Sequence, residues 1–265
     1  MDNIIVNAVL LKAQLKDNDL IILDASQPSN LSESKSIPGA RVFDLKNNFS
    51  DTSSAYPNTF PTMEQFEKEC RKLGINENSK IVVYDNRGIY FSPRVWWMFK
   101  VMGHQSVAVL DGGLPAWENH AFKTEAREAA KDVMGDFSAT LDVNAVKDFE
   151  FVQENIEKLG SLVVDARSSG RFNGTAPEPR KGLPSGCIPN SINIPYERLL
   201  ENGKFKNKKE LFEVFNSSHI TDEPLVFSCG SGVTACIVLL AAELVGLKNR
   251  KSVFDGSWTE WALRT

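Results

Sequence analysis

The chain has 265 residues, room for one large domain or two of ordinary size. Hydrophobic residues make up 42% and charged residues 24%, which excludes a mostly disordered chain. The net charge of −4 argues against a general nucleic-acid surface. The longest apolar run, near Val233 to Val245, contains Glu243 and falls short of the ~18 residues a membrane span needs. Met1-Asp2-Asn3 offers no basic n-region and Lys12 interrupts any apolar core, so no secretion signal is read. None of Cys70, Cys187, Cys229 and Cys236 forms a CxxC pair, and the cysteines and three histidines lack metal-ligand spacing. The expectation is a reduced, cytoplasmic protein with no metal and no cofactor.

In chain order, Ile21-Ile22-Leu23 reads as a buried parallel strand, and Ile37-Pro38-Gly39-Ala40 follows it. Thr62-Met63-Glu64-Gln65 fits a capping box, with Phe66, Cys70 and Leu73 on one helical face and Gly74 ending the helix. Ile81-Val82-Val83-Tyr84 and Val107-Ala108-Val109-Leu110 are further strands, and Asp111-Gly112-Gly113 and Trp117 come next. The second half repeats this order. Leu162-Val163-Val164 is a strand ending in Asp165-Ala166-Arg167, and Ile188-Pro189-Asn190-Ser191 follows. Leu225-Val226-Phe227-Ser228 is a strand, Val233 to Val245 a buried helix ended by Gly246, and Asp255-Gly256-Ser257 precedes Trp261. Asp85 and Asp111 are 26 positions apart, and so are Cys229 and Asp255. A period this long means two copies of a domain. Alternating strands and helices imply an α/β fold in each copy, a parallel sheet flanked by helices. The copies are read as 1–122 and 143–265, joined by a linker at 123–142 whose charged, low-apolar part is Lys123 to Gly135.

The copies differ in two places. Where the first has Asp85, the second has Cys229 followed by Gly230-Ser231-Gly232-Val233-Thr234. A strand running into a glycine-bearing turn and then a helix points several N–H groups into one concavity, which stabilises an anion. A cysteine there is expected to be a thiolate near neutrality. Cys236 and Cys70 read as buried thiols. The first copy's loop, Asn86-Arg87-Gly88-Ile89-Tyr90-Phe91, is bulkier, so its amides are expected to be less free to converge on one anion. That copy is expected to be catalytically silent and to form one wall of the cleft. The second difference is an insertion: Asp24 and Ile37 are 13 positions apart, Asp165 and Ile188 are 23 apart. The extra residues include Arg171 and Arg180, read either as a guanidinium clamp for an anionic substrate or as part of a solvated charged loop.

With Asp165-Ala166-Arg167, Gly170-Arg171-Phe172, Pro177-Glu178-Pro179-Arg180, Cys229-Gly230-Ser231-Gly232-Val233-Thr234 and Asp255-Gly256-Ser257-Trp258, the chain resembles the two-domain rhodanese family, the thiosulfate and 3-mercaptopyruvate sulfurtransferases. The resemblance covers nearly the whole chain. It implies two tandem rhodanese-like domains with catalysis in the C-terminal one. It makes Cys229 the residue that takes a sulfane sulfur as a persulfide, residues Gly230, Ser231, Gly232, Val233 and Thr234 its cradle, and Arg171 and Arg180 the substrate binders. The implied partners are a small anionic sulfur donor and a thiol acceptor, either a small molecule or a thioredoxin-like protein, with no nucleic acid and no membrane. Cys-Gly-Ser-Gly-Val-Thr is similar to the loop of mercaptopyruvate members, while thiosulfate-preferring members resemble Cys-Arg-Lys-Gly-Val-Thr. Two positions depart from the mercaptopyruvate pattern. Asn58 stands where a relay histidine is common, and the accompanying Asp position falls near Lys46 or Asn47.

Two other functions compete with sulfur transfer. A Cys-dependent phosphatase needs Cys-x5-Arg, but the sixth residue after Cys229 is Ala235. A non-catalytic or weakly catalytic persulfide carrier stays open, motivated by the missing relay.

Overall fold

The structure, a computed structural model, describes residues 3–27, 34–127 and 134–265. The expected linker at 123–142 therefore lies partly outside the described residues. The chain divides into two compact units. The first comprises Met1–Asp51, Phe60–Asp142 and Asn202–Lys204; the second comprises Thr52–Thr59, Val143–Glu201 and Phe205–Thr265.

In the first unit, continuous apolar runs form the inner strands. Leu20–Asp24, Lys80–Tyr84 and Val107–Leu110 are buried along nearly their whole length, as parallel strands covered on both faces must be. Ile5–Val6 and Arg41–Val42 flank them. Across the sheet the order is Ile5–Val6, Val107–Leu110, Lys80–Tyr84, Leu20–Asp24, Arg41–Val42, all parallel. Helices Met63–Lys72 and Ser92–Val101 turn Phe66, Cys70, Val95 and Phe99 into the core. The capping box expected at Thr62 is half present. The Thr62 hydroxyl accepts from the Gln65 N–H (3.2 Å), but the Gln65 amide donates to the carbonyls of Asn48 and Ser50 instead of reaching back. Gly74 follows this helix with φ +64, donating its N–H to the Arg71 carbonyl.

The second unit repeats the plan. Its order is Val146–Lys147, Lys251–Phe254, Leu225–Ser228, Leu162–Asp165, Ser191–Asn193, again parallel throughout. The apolar helix spans Ala235–Val245 and ends at Gly246, φ +83. It starts two residues later than the apolar pattern suggests, because Val233 and Thr234 complete the turn that leaves the strand. Among the described residues no helix is long and apolar enough to cross a membrane, and no cluster of His, Cys, Asp or Glu could hold a metal ion.

Equivalent bonds set the register between the copies. The Leu114 N–H donates to the Asp85 carbonyl at 3.0 Å, and the Trp258 N–H donates to the Cys229 carbonyl at 2.9 Å. The offset is 144 at Asp85 and Cys229 and again from Val107 to Trp117, but 143 through the helix between them, where the Arg94 N–H donates to the Phe91 carbonyl as the Ile237 N–H does to that of Thr234.

Candidate active site

Cys229 directly follows the strand Leu225–Ser228, and its loop leads into the N-terminus of helix Ala235–Val245. A helix N-terminus carries partial positive charge and inward-pointing amides, so this is the place in the unit where an anion is best tolerated. Cys229 is buried, 2% exposed, rather than standing at an open mouth. The following loop is tied from beneath. The Ser257 hydroxyl donates to the Phe254 carbonyl (2.9 Å) and accepts the N–H groups of Cys229 (3.2 Å) and Gly232 (3.0 Å). Ser257 holds φ +50, where the first copy has Gly113 at φ +53.

The inserted residues reach this loop. Arg180 donates through Nη1 to the Thr259 hydroxyl (2.6 Å), which donates to the Gly230 carbonyl (2.6 Å). Arg171 lies on helix Ser169–Phe172, and its Nη2 would stand 3.0 Å from a Cβ at position 230. Glycine at 230 thus leaves the guanidinium room against the loop. Arg171 is not an open clamp, however: its Nε and Nη2 are bound to the two carboxylate oxygens of Glu178, at 3.1 and 2.6 Å. Although burial opposes it, the hydrogen bond and charge of Glu178, with lesser contributions from Cys229 and Asp165, hold Arg171 more firmly protonated than usual.

The Glu178 side chain, 2% exposed, also accepts from Arg167 Nη1 at 2.7 Å. Arg167 is fully buried. It binds Asp165 through Nε and Nη2 (2.6 Å at the closest) and the Gly186 carbonyl (2.6 Å), and it stacks on Trp258 with Cζ 4.2 Å from the ring centroid. Burial pushes the Asp165 carboxyl up, opposed by the hydrogen bonds and charge of Arg167. Asp165, Arg167, Glu178 and Arg171 therefore form one alternating chain of charges ending beside the Cys229 loop.

Asn58 also enters the site. Its side chain donates from Nδ2 to the Ser231 hydroxyl oxygen (2.9 Å). It holds φ +59, a conformation asparagine tolerates, on a loop tied by the Ser54–Thr59 hydroxyl contact and by the Tyr56 N–H donating to Ser54. Asn47 instead donates to the Asp44 carboxylate within its own turn.

The first copy's loop differs from the expectation. Its amides do converge, and what they converge on is the chain's own carboxylate. Asp85, fully buried, accepts at Oδ2 from the N–H groups of Tyr90 (3.0 Å), Phe91 (2.9 Å) and Ser92 (2.9 Å) and from the Ser92 hydroxyl (2.8 Å). Its Oδ1 accepts from the Arg87 N–H at 2.9 Å. Burial pushes this carboxyl up, and the bonds from Ser92, Tyr90 and Arg87 oppose it. Loop bulk does not prevent the cradle, because backbone N–H groups point inward whatever the side chains outside. The cradle is filled by Asp85.

The Rhodanese-like domain family matches the chain twice, over residues 7–120 and 148–264. The chain belongs to the two-domain rhodanese-family sulfurtransferases. This rhodanese is 40% identical to mouse (Mus musculus) 3-mercaptopyruvate sulfurtransferase over 269 residues, covering 97% of this chain and 90% of the mouse protein. It is 40% identical over 256 residues to the thiosulfate sulfurtransferase of Cricetulus griseus, covering 91% and 84%. Its structure is similar to the crystal structure of SseA from Escherichia coli, a 3-mercaptopyruvate sulfotransferase. The TM-score is 0.84 and the identity 33%, with 97% of this chain and 99% of that one covered.

Several residues of this rhodanese's site escaped the sequence reading. Ser257 sits where the repeat has Gly113, and a hydroxyl gained at a left-handed position was its signal. Glu178 was an acid inside a cationic insertion, and Thr259 carried no signal.

Proposed function

We propose that Cys229 is the sulfur carrier of this sulfurtransferase, taking a sulfane sulfur from 3-mercaptopyruvate or thiosulfate and passing it to a thiol or cyanide. The observation that carries this reading is the pair of matched loops. In the first copy four donors gather on the outer oxygen of Asp85, and in the second Cys229 stands at the same position. A site that holds a carboxylate oxygen two bonds beyond Cβ suits the negative charge of a persulfide's terminal sulfur, also two bonds beyond Cβ, and its donors face the thiolate one bond nearer. The Cys229 thiolate attacks the donor's transferable sulfur. With 3-mercaptopyruvate the C–S bond breaks, its electron pair staying on carbon, which takes a proton to give pyruvate. With thiosulfate the S–S bond breaks and sulfite leaves. An acceptor thiolate or cyanide then attacks the outer sulfur, the persulfide S–S bond breaks, and Cys229 returns as thiolate. Because Cys229 must stay a thiol between turnovers, we assign the protein to a reducing compartment, the cytoplasm.

Arg171 and Arg180 hold the donor's anionic end in this reading, with Arg171 offering what Glu178 leaves unused. Losing one charge-assisted contact costs ~1.5–3 kcal/mol, a roughly ten- to hundred-fold fall in kcat/KM. Steady-state kinetics of Arg171→Ala and Arg180→Ala with each donor test it; unchanged kcat/KM in both variants would remove the arginines from donor binding.

Donor choice depends on Ser231. The Asn58 amide donates to its oxygen, so the Ser231 proton is free to turn to a ligand, but an amide does not relay protons near neutral pH. Histidine also tolerates the left-handed backbone of position 58. Asn58→His is expected to raise kcat for 3-mercaptopyruvate by several-fold while leaving the thiosulfate rate nearly constant, as measured by pyruvate and sulfite release. Equal changes for both donors would place Asn58 outside the chemistry.

A further inference from the structure

Between its two arginines the insertion carries one acid, in Pro177-Glu178-Pro179. Proline locks its own backbone and restricts the residue before it, so Glu178 has little freedom to swing away. Its side chain is held as firmly. Oε1 accepts from Arg167 Nη1 (2.7 Å) and Arg171 Nε (3.1 Å), and Oε2 accepts from Arg171 Nη2 (2.6 Å). Arg167 is itself pinned by Asp165, the Gly186 carbonyl and the Trp258 ring. Of the two guanidiniums on Glu178, only that of Arg171 reaches solvent, its side chain 23% exposed against 0% for Arg167. A guanidinium has two flat edges, each able to meet a pair of oxygens. Glu178 takes the Nε–Nη2 edge of Arg171, which leaves the Nη1–Nη2 edge to a ligand beside the Cys229 loop. Glu178 also offsets one of the two positive charges that Arg171 and Arg180 bring to that loop.

We propose that Glu178 sets the charge class of the sulfur donor: held on Arg171, it makes the site favour a monoanionic carboxylate donor such as 3-mercaptopyruvate over the thiosulfate dianion. The inference rests on the reading above that Arg171 and Arg180 hold the donor's anionic end. Two guanidiniums alone would match a dianion. With Glu178 bound to one of them, the charge facing the donor is that of a single cation, which a monoanion neutralises and a dianion exceeds. The Cys229 thiolate repels each charge on the donor in turn, so it too weighs more heavily on the dianion. Glu178 cannot step aside to relieve this, because both of its oxygens are engaged and its side chain is 2% exposed. A charge buried to that degree is also poorly screened by salt. Shape agrees with charge, since the coplanar N–H pair of the remaining Arg171 edge fits a planar carboxylate.

The test is the steady-state kinetics of wild type, Glu178→Gln, Glu178→Asp, Arg171→Ala and Arg180→Ala with both donors. Thiosulfate carries one charge more than 3-mercaptopyruvate, so the ratio of their kcat/KM values isolates one unit-charge interaction with position 178. A unit charge beside an ionisable group is worth about 1–3 pKa units, and a site open to solvent takes the low end. Glu178→Gln is therefore expected to shift the ratio toward thiosulfate by about ten-fold, through KM rather than kcat. Glu178→Asp keeps the charge, and the ratio should stay within about two-fold of wild type although both donors slow. Glu178→Met, uncharged and of similar volume, carries the same expectation as glutamine should an amide be rejected between two guanidiniums. A merely structural role would slow both donors together. Equal changes for both donors in the folded uncharged variant would thus overturn the proposal, as would a shift toward 3-mercaptopyruvate or the same shift in Glu178→Asp. Unchanged kcat/KM in both arginine variants would instead overturn the reading of Arg171 and Arg180 as donor binders.

Discussion

Cys229→Ser is expected to lower donor-dependent sulfur transfer by about a thousand-fold or more, the scale seen when a nucleophile is removed. A hydroxyl in the same cradle is far less acidic than a thiol and holds no sulfane sulfur. The substitution is nearly isosteric at a buried position, and the loop's ties run through the Cys229 backbone and Ser257, so the melting temperature should stay close to wild type. Turnover is checked by thiocyanate formation with both donors; activity within ten-fold of wild type would remove Cys229 from the nucleophile's role. Adding Asp85→Cys to that variant should not restore turnover. The reason is not loop bulk, since that loop does gather its amides. The first copy has no counterpart of the insertion carrying Arg171 and Arg180.

Arg167→Ala is expected to cost about 3–5 kcal/mol of stability, the range for breaking a buried ion pair from one side. The guanidinium is shared by the buried carboxylates of Asp165 and Glu178, so its removal strips Asp165 of its charged partner, leaves Glu178 to Arg171 alone and uncovers the face of Trp258. Arg167→Lys should recover only part of this, because an ammonium cannot reproduce a planar fork bound to three acceptors. The denaturation midpoint of the second unit checks both variants. A loss under ~1 kcal/mol for alanine, the level of a surface pair, would mean the charge chain carries no structural weight. The same variant should weaken donor binding, since Glu178 would then draw on Arg171 alone.

How much of this was legible in the sequence follows from what each residue has to satisfy. Strands buried on both faces must be apolar throughout, so Ile81–Tyr84 and Leu225–Ser228 declared themselves. Ile5–Val6, Arg41–Val42 and Val146–Lys147 are two residues long and lie at or beside sheet edges, too short to show a period. The Cys229 loop was legible because a glycine-bearing turn between strand and helix leaves few other readings. The Asp85 cradle was not. Its donors are mainly backbone N–H groups, which every residue but proline carries, so the side-chain sequence Asn86 to Phe91 looked too bulky for what the backbone does. The insertion's arginines were visible as charges, but pairing is a matter of geometry. That Glu178 would occupy one edge of Arg171 while Arg180 stayed on the Thr259 hydroxyl needed coordinates. Asn58 could be placed against Ser231 only through the resemblance, because 173 residues separate them.

The central claim is that the donor's sulfur comes to rest on Cys229. Treating the protein with one equivalent of 3-mercaptopyruvate or thiosulfate, without acceptor, and mapping the product by peptide mass spectrometry tests it directly. The account predicts one added sulfur atom on the peptide bearing Cys229, absent in Cys229→Ser and discharged by cyanide. Sulfur found instead on the exposed Cys187, or the same gain in Cys229→Ser, would contradict it.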